Sequence, residues 1–332
     1  MNLMLLAAGE GTRLRPYTHQ LPKPAIPFLN LPLASHSLSF LNDIAIDKLV
    51  VNTFHLPEKI HCLFHKIPHG AKELIFSDEV GEILGNGGGL GKARQHFHGG
   101  GDFIMMNSDE VILPKDADVL KKAIAQHKAS GALATLMVMD HPGVGTQFGG
   151  VWVDSKENKV RGFGKTAIPN TDKAWHFIGV QILSERIFQY IPSTGASNIL
   201  YDGVAAGIAQ GELVQVCPFE CSWFETGNIK DFLEASEKCL GYLMSSEPSS
   251  EKAALERAFQ RYANGKMITQ DFAGAHLHFS NDARIDNNSK FEGFVCFAEG
   301  SRLPKECKLK NVIVGEGVSV APGTEAENTL LL

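Results

Sequence analysis

Leu6-Ala-Ala-Gly-Glu-Gly-Thr-Arg-Leu-Arg-Pro16 continues directly from the apolar residues 3–6, and its reading decides the fold. An apolar run that enters two glycines one residue apart reads as a strand delivered into a tight turn. Gly9 and Gly11 let the chain bend sharply and bring backbone N–H groups against a phosphate with no Cβ in the way. Arg13 adds a forked cation that suits phosphate oxygens. Shortly after, Pro22-Lys23-Pro24 holds one lysine on rigid, extended backbone. No G-x4-G-K-S/T occurs, so this is not a Walker A loop. Leu14 stands where G-x-G-x-x-G needs its third glycine, which excludes that fingerprint too.

Outward from this loop, short apolar runs at 3–6, 48–52, 74–76, 103–106 and 132–139 read as strands. Between them, residues 33–41, 56–64, 90–97 and 117–128 repeat apolar positions with helical period. The alternation predicts an α/β unit with a Rossmann-like, mostly parallel sheet and helices on both faces, because each parallel crossover needs a helix. Ligands of such sheets bind beyond the carboxyl ends of the strands. Residues 148–223 are more mixed, with strands at 151–153 and 177–183 and a helix over 198–210.

The chain has 332 residues, enough for about two domains at about 150 residues each. It is 44% hydrophobic and 20% charged, with 31 basic and 37 acidic residues. A net charge of −6 gives no basic field for nucleic acid or an anionic membrane, so a phosphate ligand must be held by a local cluster. No apolar run is long enough for a signal peptide or a membrane span. Six scattered cysteines (Cys62, Cys217, Cys221, Cys239, Cys296, Cys307) make no disulfide framework, and a cytoplasmic setting is expected.

The polar, Pro-containing stretch 245–250 has linker composition, and 251–263 reads as one helix. From 267 onward apolar residues recur every six positions at Ile285, Phe291, Phe297, Leu303 and Leu309, with Val312, Val318 and Leu330 in a second register. A six-residue period with turn residues between predicts a small left-handed β-helix-like domain of hexapeptide type; a plain antiparallel sheet is the alternative. The expected organisation is a catalytic unit over 1–243, a linker and helix over 244–266, and the hexad tail over 267–332. Short coils leave an end to cover, so the tail is expected to support homo-oligomers or to pack on the first unit.

L-A-A-G-E-G-T-R-L-R-P followed by P-K-P-A-I-P closely resembles the signature of the sugar-1-phosphate nucleotidyltransferases. Val51-Asn-Thr-Phe-His-Leu56 resembles the V-N-x-H-H-L segment of guanylyl-type members. Glu82-Ile-Leu-Gly-Asn-Gly-Gly-Gly89 resembles the loop that approaches the base. Phe103-Ile-Met-Met-Asn-Ser-Asp109 resembles the strand whose terminal Asp binds magnesium. The resemblance implies an enzyme in which a sugar-1-phosphate oxygen attacks the α-phosphorus of an NTP and pyrophosphate leaves. It implies nucleotide contacts from Leu6, Ala7, Ala8, Gly9, Gly11, Thr12, Glu82, Gly85, Asn86 and Gly88, and catalytic charge neutralisation by Arg13 and Lys23. The sugar phosphate is expected against Asn107, Gly149, Lys165 and Gly179, and Mg2+ on Asp109 and Glu225.

Two positions depart from the family pattern. Glu225, in Trp223-Phe-Glu-Thr-Gly-Asn228, stands where the family has Asp, and Gly164 stands where F-x-E-K-P has its Glu. They motivate an alternative in which the chain binds a nucleotide-sugar and regulates a partner without turnover. GTP or UTP is the expected NTP: segment 51–56 and the tail point to GTP with mannose-1-phosphate, whereas Gly87-Gly-Gly89 resembles uridylyl-type members. His61, His65 and His69 lie at helical spacing with no acidic ligand at a zinc-site interval, and read as a surface face.

Overall fold

The computed structural model describes residues 1–283, 288–302 and 305–332. Its main sheet has nine strands, and along one path they run Lys159–Gly164, Gly150–Asp154, Lys173–Leu183, Phe103–Asn107, Asn2–Leu6, Lys48–Thr53, Glu73–Asp78. Ala134–Met139 also pairs with Lys173–Leu183 and carries Val214–Pro218 beyond it. The central run of Phe103–Asn107, Asn2–Leu6, Lys48–Thr53 and Glu73–Asp78 is parallel, as the alternation of strands and helices predicts. The sheet as a whole is mixed, because Lys173–Leu183 runs antiparallel to all three of its partners. Residues 148–183 supply this half through hairpin-like returns, which need no crossover helix.

The first strand shows why both faces are covered. Successive side chains of a strand point to opposite faces. Leu3 and Leu5 enter one buried cluster with the helices Leu33–Ser39, Pro57–Lys66 and Val119–Ser130. Met4 enters the opposite cluster with Leu90 and Ala93 of the helix Gly85–Ala93, together with Ile187, Ile199 and Val204. An apolar run without polar alternation is what a strand buried on both faces requires.

Helices Ile229–Met244 and Ser250–Tyr262 follow, joined through Ser245 to Ser249. Side-chain caps start both: Asn228 accepts from the amide of Asp231, and Ser249 from that of Lys252. The second helix is firmly seated, since Ala258 and Tyr262 belong to the first core cluster and Ala254 and Leu255 to a third.

The tail forms a five-stranded sheet. Met267–Phe272 and Ala275–Ser280 make an antiparallel hairpin, a departure from the coil pattern expected from 267 onward. The remaining strands, Ala275–Ser280, Lys290–Phe297, Lys308–Val314 and Glu325–Leu331, are parallel neighbours in chain order, so a wholly antiparallel sheet is excluded. His276 pairs with Phe294 and Lys290 with Lys308, an offset of three hexads. Past Glu292 the offset shortens to 17 residues and stays so in the last pair, so Val295 lies beside Val312, Leu330 beside Ile313, and the expected Val312 register is broken. Phe291, Phe297 and Leu309 face the tail's own core; Ile285 and Leu303 lie outside the described residues.

Candidate active site

A cavity of about 420 Å³ opens beyond the carboxyl ends of the strands Asn2–Leu6, Lys48–Thr53 and Phe103–Asn107. Leu6, Ala7, Ala8, Gly9, Gly11, Thr12 and Arg13 form one wall, and Lys23 and Pro24 a second. Asn52, Asn107, Ser108 and Asp109 reach it from the strand ends; Ile83, Gly85, Asn86 and Gly227 close the rest.

The glycine loop is pinned at its ends and free in its middle. Asn52 accepts from the amide of Ala7 at 3.0 Å, and the Ser108 hydroxyl donates to the carbonyl of Leu6 at 2.5 Å. At the far end the Thr18 hydroxyl donates to the carbonyl of Gly11 at 3.0 Å. Gly11 sits at φ +61°, and a Cβ there would lie 2.8 Å from the Thr18 methyl, so both backbone and space demand glycine. Between the pins, the amides of residues 8 to 13 make no hydrogen bond among the described residues. Consecutive free N–H groups on a bent backbone form a concavity that suits an anion.

Charges are arranged around that loop in two pairs. Lys23 Nζ lies 2.5 Å from Asp109 Oδ2, joining the proline-flanked turn to the end of the strand Phe103–Asn107. Arg13 Nη1 lies 3.6 Å from Glu225 Oε1 and is 68% exposed, so the guanidinium is only loosely held. The Thr226 hydroxyl donates to the carbonyl of Asp109 at 2.9 Å, which brings the segment carrying Glu225 beside Asp109. Among the described residues no three or more His, Cys, Asp or Glu gather as a metal cage.

Not every expected site residue meets at this cavity. Glu82 is exposed and does not line it; its neighbour Ile83 does. Gly88 is buried, and Gly149, Lys165, Gly179 and Glu225 also lie outside the lining. Gly179 sits behind Asn107: at φ +77°, its Cβ would fall 2.5 Å from Asn107 Nδ2 and 2.6 Å from Glu110 Oε1. Gly149 packs near Gly164 and the Tyr201 hydroxyl, and Lys165 follows them, exposed and without a hydrogen bond or ion pair among the described residues. Gly164 donates no side chain, but its carbonyl accepts from the Trp152 indole at 2.8 Å.

The glycines 85–89, expected as a loop near the base, instead open the helix Gly85–Ala93. They are there for close packing. A Cβ on Gly87 would meet Ser197 Oγ at 2.6 Å, one on Gly88 the Gly195 carbonyl at 2.4 Å, and one on Gly91 the Pro192 carbonyl at 2.1 Å. The amides of Gly87 and Gly88 already donate to the Ser197 carbonyl, so this helix start has spent two of its free donors. The triple glycine therefore reports a neighbouring segment and carries no evidence about the base.

Sequence reasoning missed Asn52 as the anchor of the loop, although it is the one polar residue in the apolar run before Thr53. It also missed Glu79, which accepts from Asn52 Nδ2 at 2.7 Å and from the amide of Leu84 at 2.7 Å. Glu110 escaped notice as well. Burial and the adjacent Asp109 push its carboxyl up to about 7, against the opposing help of hydrogen bonds from Asn107 and Trp223. His176 packs among His141, Phe148 and Trp223, and burial lowers it to about 4.

Residues 2–241 match the family described as nucleotidyl transferase. The chain belongs to that family, and within it to the sugar-1-phosphate nucleotidyltransferases that its motifs resemble. It is 30% identical over 246 residues to a UTP–glucose-1-phosphate uridylyltransferase of Synechocystis, a match covering 71% of this chain and 62% of that enzyme, under two thirds of its length. It is 27% identical to mannose-1-phosphate guanylyltransferase 1 of Arabidopsis thaliana over 100% of this chain and 91% of that protein. Among solved structures, the inositol-1-phosphate CTP transferase from T. maritima superposes with a TM-score of 0.60 at 17% identity, covering 79% of this chain and 97% of that one. That likeness concerns the fold. The regulatory alternative drawn from Gly164 and Glu225 is not favoured, since these curated relatives are named as transferases.

Proposed function

We propose that this chain transfers a nucleoside monophosphate from an NTP to a sugar-1-phosphate, releasing pyrophosphate. The observation that carries the reading is the run of free amides from residue 8 to residue 13 facing Lys23 across one cavity. Those amides, with Arg13, hold the triphosphate. Thr12, Leu6 and Asn86 border the nucleotide, and Lys23 neutralises charge growing on the reacting phosphates. Such a reaction needs no protein nucleophile; positioning and charge neutralisation supply the rate. A phosphate bound at the loop competes for Lys23 and Arg13, which loosens them from Asp109 and Glu225 and frees both carboxylates.

Those two carboxylates fit Mg2+. They are hard oxygen donors on segments that the Thr226 bond ties together, without a complete cage, as suits an ion that shares its coordination with substrate phosphates. When bound, Mg2+ would offset negative charge on the phosphate oxygens. Asp109 and Glu225 would hold it. Asn107, Gly179, Gly149 and Lys165 mark the direction in which the sugar-1-phosphate lies, beside the nucleotide. Of the candidate substrates, GTP with mannose-1-phosphate is supported by likeness along the whole chain to the Arabidopsis guanylyltransferase, and UTP comes next through the Synechocystis enzyme.

The reading includes the division into a catalytic unit over 1–243, a joining segment over 244–266 and a tail over 267–332. The tail is read as a β-helix-like stack, supported by parallel pairing at offsets of 18 and 17 residues and by the bridge between Arg302 and Ser319. It is read further as a surface for self-association, in a cytoplasmic protein that binds neither nucleic acid nor membrane. No helix among the described residues is long and apolar enough to cross a membrane. The activity is tested by incubating the protein with Mg2+, each of the four NTPs and a panel of sugar-1-phosphates, following pyrophosphate. One NTP is expected to give release that depends on both sugar and metal. Absence of release with every pair, in folded protein, refutes the reading.

A further inference from the structure

Glu110 follows Asp109 in the chain but lies outside the cavity lining. Its Oε1 accepts from Asn107 Nδ2 at 2.8 Å, and its Oε2 accepts from the Trp223 indole Nε1 at 2.8 Å. Its backbone is fixed as well: the Ser37 hydroxyl donates to its carbonyl at 3.0 Å and accepts from its amide at 2.8 Å. The two side-chain partners belong to different sheets. Asn107 ends the strand Phe103–Asn107, whereas Trp223 lies in Cys221–Phe224, two residues before Glu225. That short strand pairs antiparallel with Val111–Pro114, Phe224 opposite Val111.

We propose that Glu110 is a positioning residue: by bonding Asn107 with one oxygen and Trp223 with the other, it fixes Asp109 and Glu225 at the separation that a shared divalent cation needs. The inference rests on the reading of those two carboxylates as the metal ligands. A carboxylate accepts from both donors at once. A glutamine offers one acceptor oxygen and one NH2, so it keeps the Trp223 bond only by turning its NH2 toward Asn107, whose amide must then turn over to accept. Gly179 makes room for this pair, since a Cβ there would fall 2.5 Å from Asn107 Nδ2 and 2.6 Å from Glu110 Oε1. Loss of either bond loosens the segment just past Cys221–Phe224 that carries Glu225, and Mg2+ or Mn2+ tolerates little shift in its ligands.

The test uses the full chain, with Mn2+·GTP and Mn2+·UTP as probes and water-proton relaxation as the readout. The variants are Glu110→Ala, which removes both bonds, and Trp223→Phe, which keeps a six-membered aromatic ring and removes the indole donor. Each is expected to weaken binding of the metal complex about tenfold while metal-free nucleotide, measured in EDTA, binds as in wild type. The double variant is expected to lose no more than Glu110→Ala alone, because that change already removes the bond that Trp223→Phe cuts. Equal Mn2+·nucleotide affinity in wild type and Trp223→Phe overturns the inference, as does an equal loss with and without metal. A wild-type protein that binds neither complex refutes the nucleotide reading itself, a result distinct from unchanged variants of a binding wild type.

Discussion

Lys23 and Arg13 are the residues on which the proposed chemistry turns, and their surroundings make different demands. Lys23 is 2.5 Å from Asp109 and mostly buried, so Lys23→Met removes a preorganised charge and leaves the carboxylate beside it unpaired. The expected loss in kcat is about 10²–10³, the range seen when one preorganised donor is removed from a reacting centre; a loss below threefold contradicts the assigned role. Arg13 is held at 3.6 Å by Glu225 and is largely exposed, so Arg13→Gln is expected to raise the KM for NTP with little change in melting temperature. Both residues were legible in the sequence because motif and chemistry agree there. Asn52, Glu79 and Glu110 were not legible, since their importance comes from partners 27 to 113 residues away that only the fold brings near.

Among elements, the glycine helix Gly85–Ala93 corrects the sequence most sharply. Its glycines look like a flexible loop, yet they are the places where residues 192–198 lie against the helix. Gly91→Ala would set a methyl 2.1 Å from the Pro192 carbonyl and must displace backbone. A destabilisation of about 1–3 kcal/mol, the usual cost of overpacking, is expected in denaturant unfolding; an unchanged midpoint contradicts the close-packing account. The tail strands teach a related lesson. A period of six was visible, and it correctly sends Phe291, Phe297 and Leu309 to one core. The opening antiparallel hairpin and the change to a 17-residue offset past Glu292 were not visible, because a turn at Ala273 and Gly274 and a single missing residue do not disturb hydrophobic spacing enough to read.

At the scale of the whole molecule, one shared cluster joins the tail to the rest of the chain. Phe294, Cys296, Ile313 and Leu330 of the tail pack with Leu14, Ile26, Phe28, Phe232 and Leu255. Buried apolar side chains contribute about 1.5–3 kcal/mol each, so deletion of residues 267–332 strips support from beneath the glycine loop as well as exposing apolar surface. Light scattering is expected to show aggregation or an altered number of subunits in the truncated chain; a monodisperse species with the same number of subunits argues against the seam. His36 and His278 lie on the two sides of Phe259 at this junction. Burial lowers His36 to about 4 and His278 to about 3, whereas an unfolded histidine titrates near 6.5. Both are neutral in either state above pH 6.5. As pH falls from 6.5 toward 4 only the unfolded chain takes up these protons, so stability falls, by up to about 1.4 kcal/mol per histidine per pH unit. Unfolding free energies at pH 7 and pH 5 are expected to differ accordingly, and His278→Gln to flatten the slope.

The parallel centre of the sheet and the glycine turn were readable from local pattern alone, since each is encoded within a few adjacent residues. The mixed half of the sheet was harder, because antiparallel returns at 148–183 leave no crossover helix to mark them. The central claim remains a physical one about where a polyanion sits, and a crystal structure of the protein with its NTP and Mg2+ tests it most directly. The account predicts triphosphate density against the amides of residues 8 to 13, with the ion between that density and the carboxylates of Asp109 and Glu225. A triphosphate bound elsewhere, or an ion that touches neither carboxylate, contradicts it.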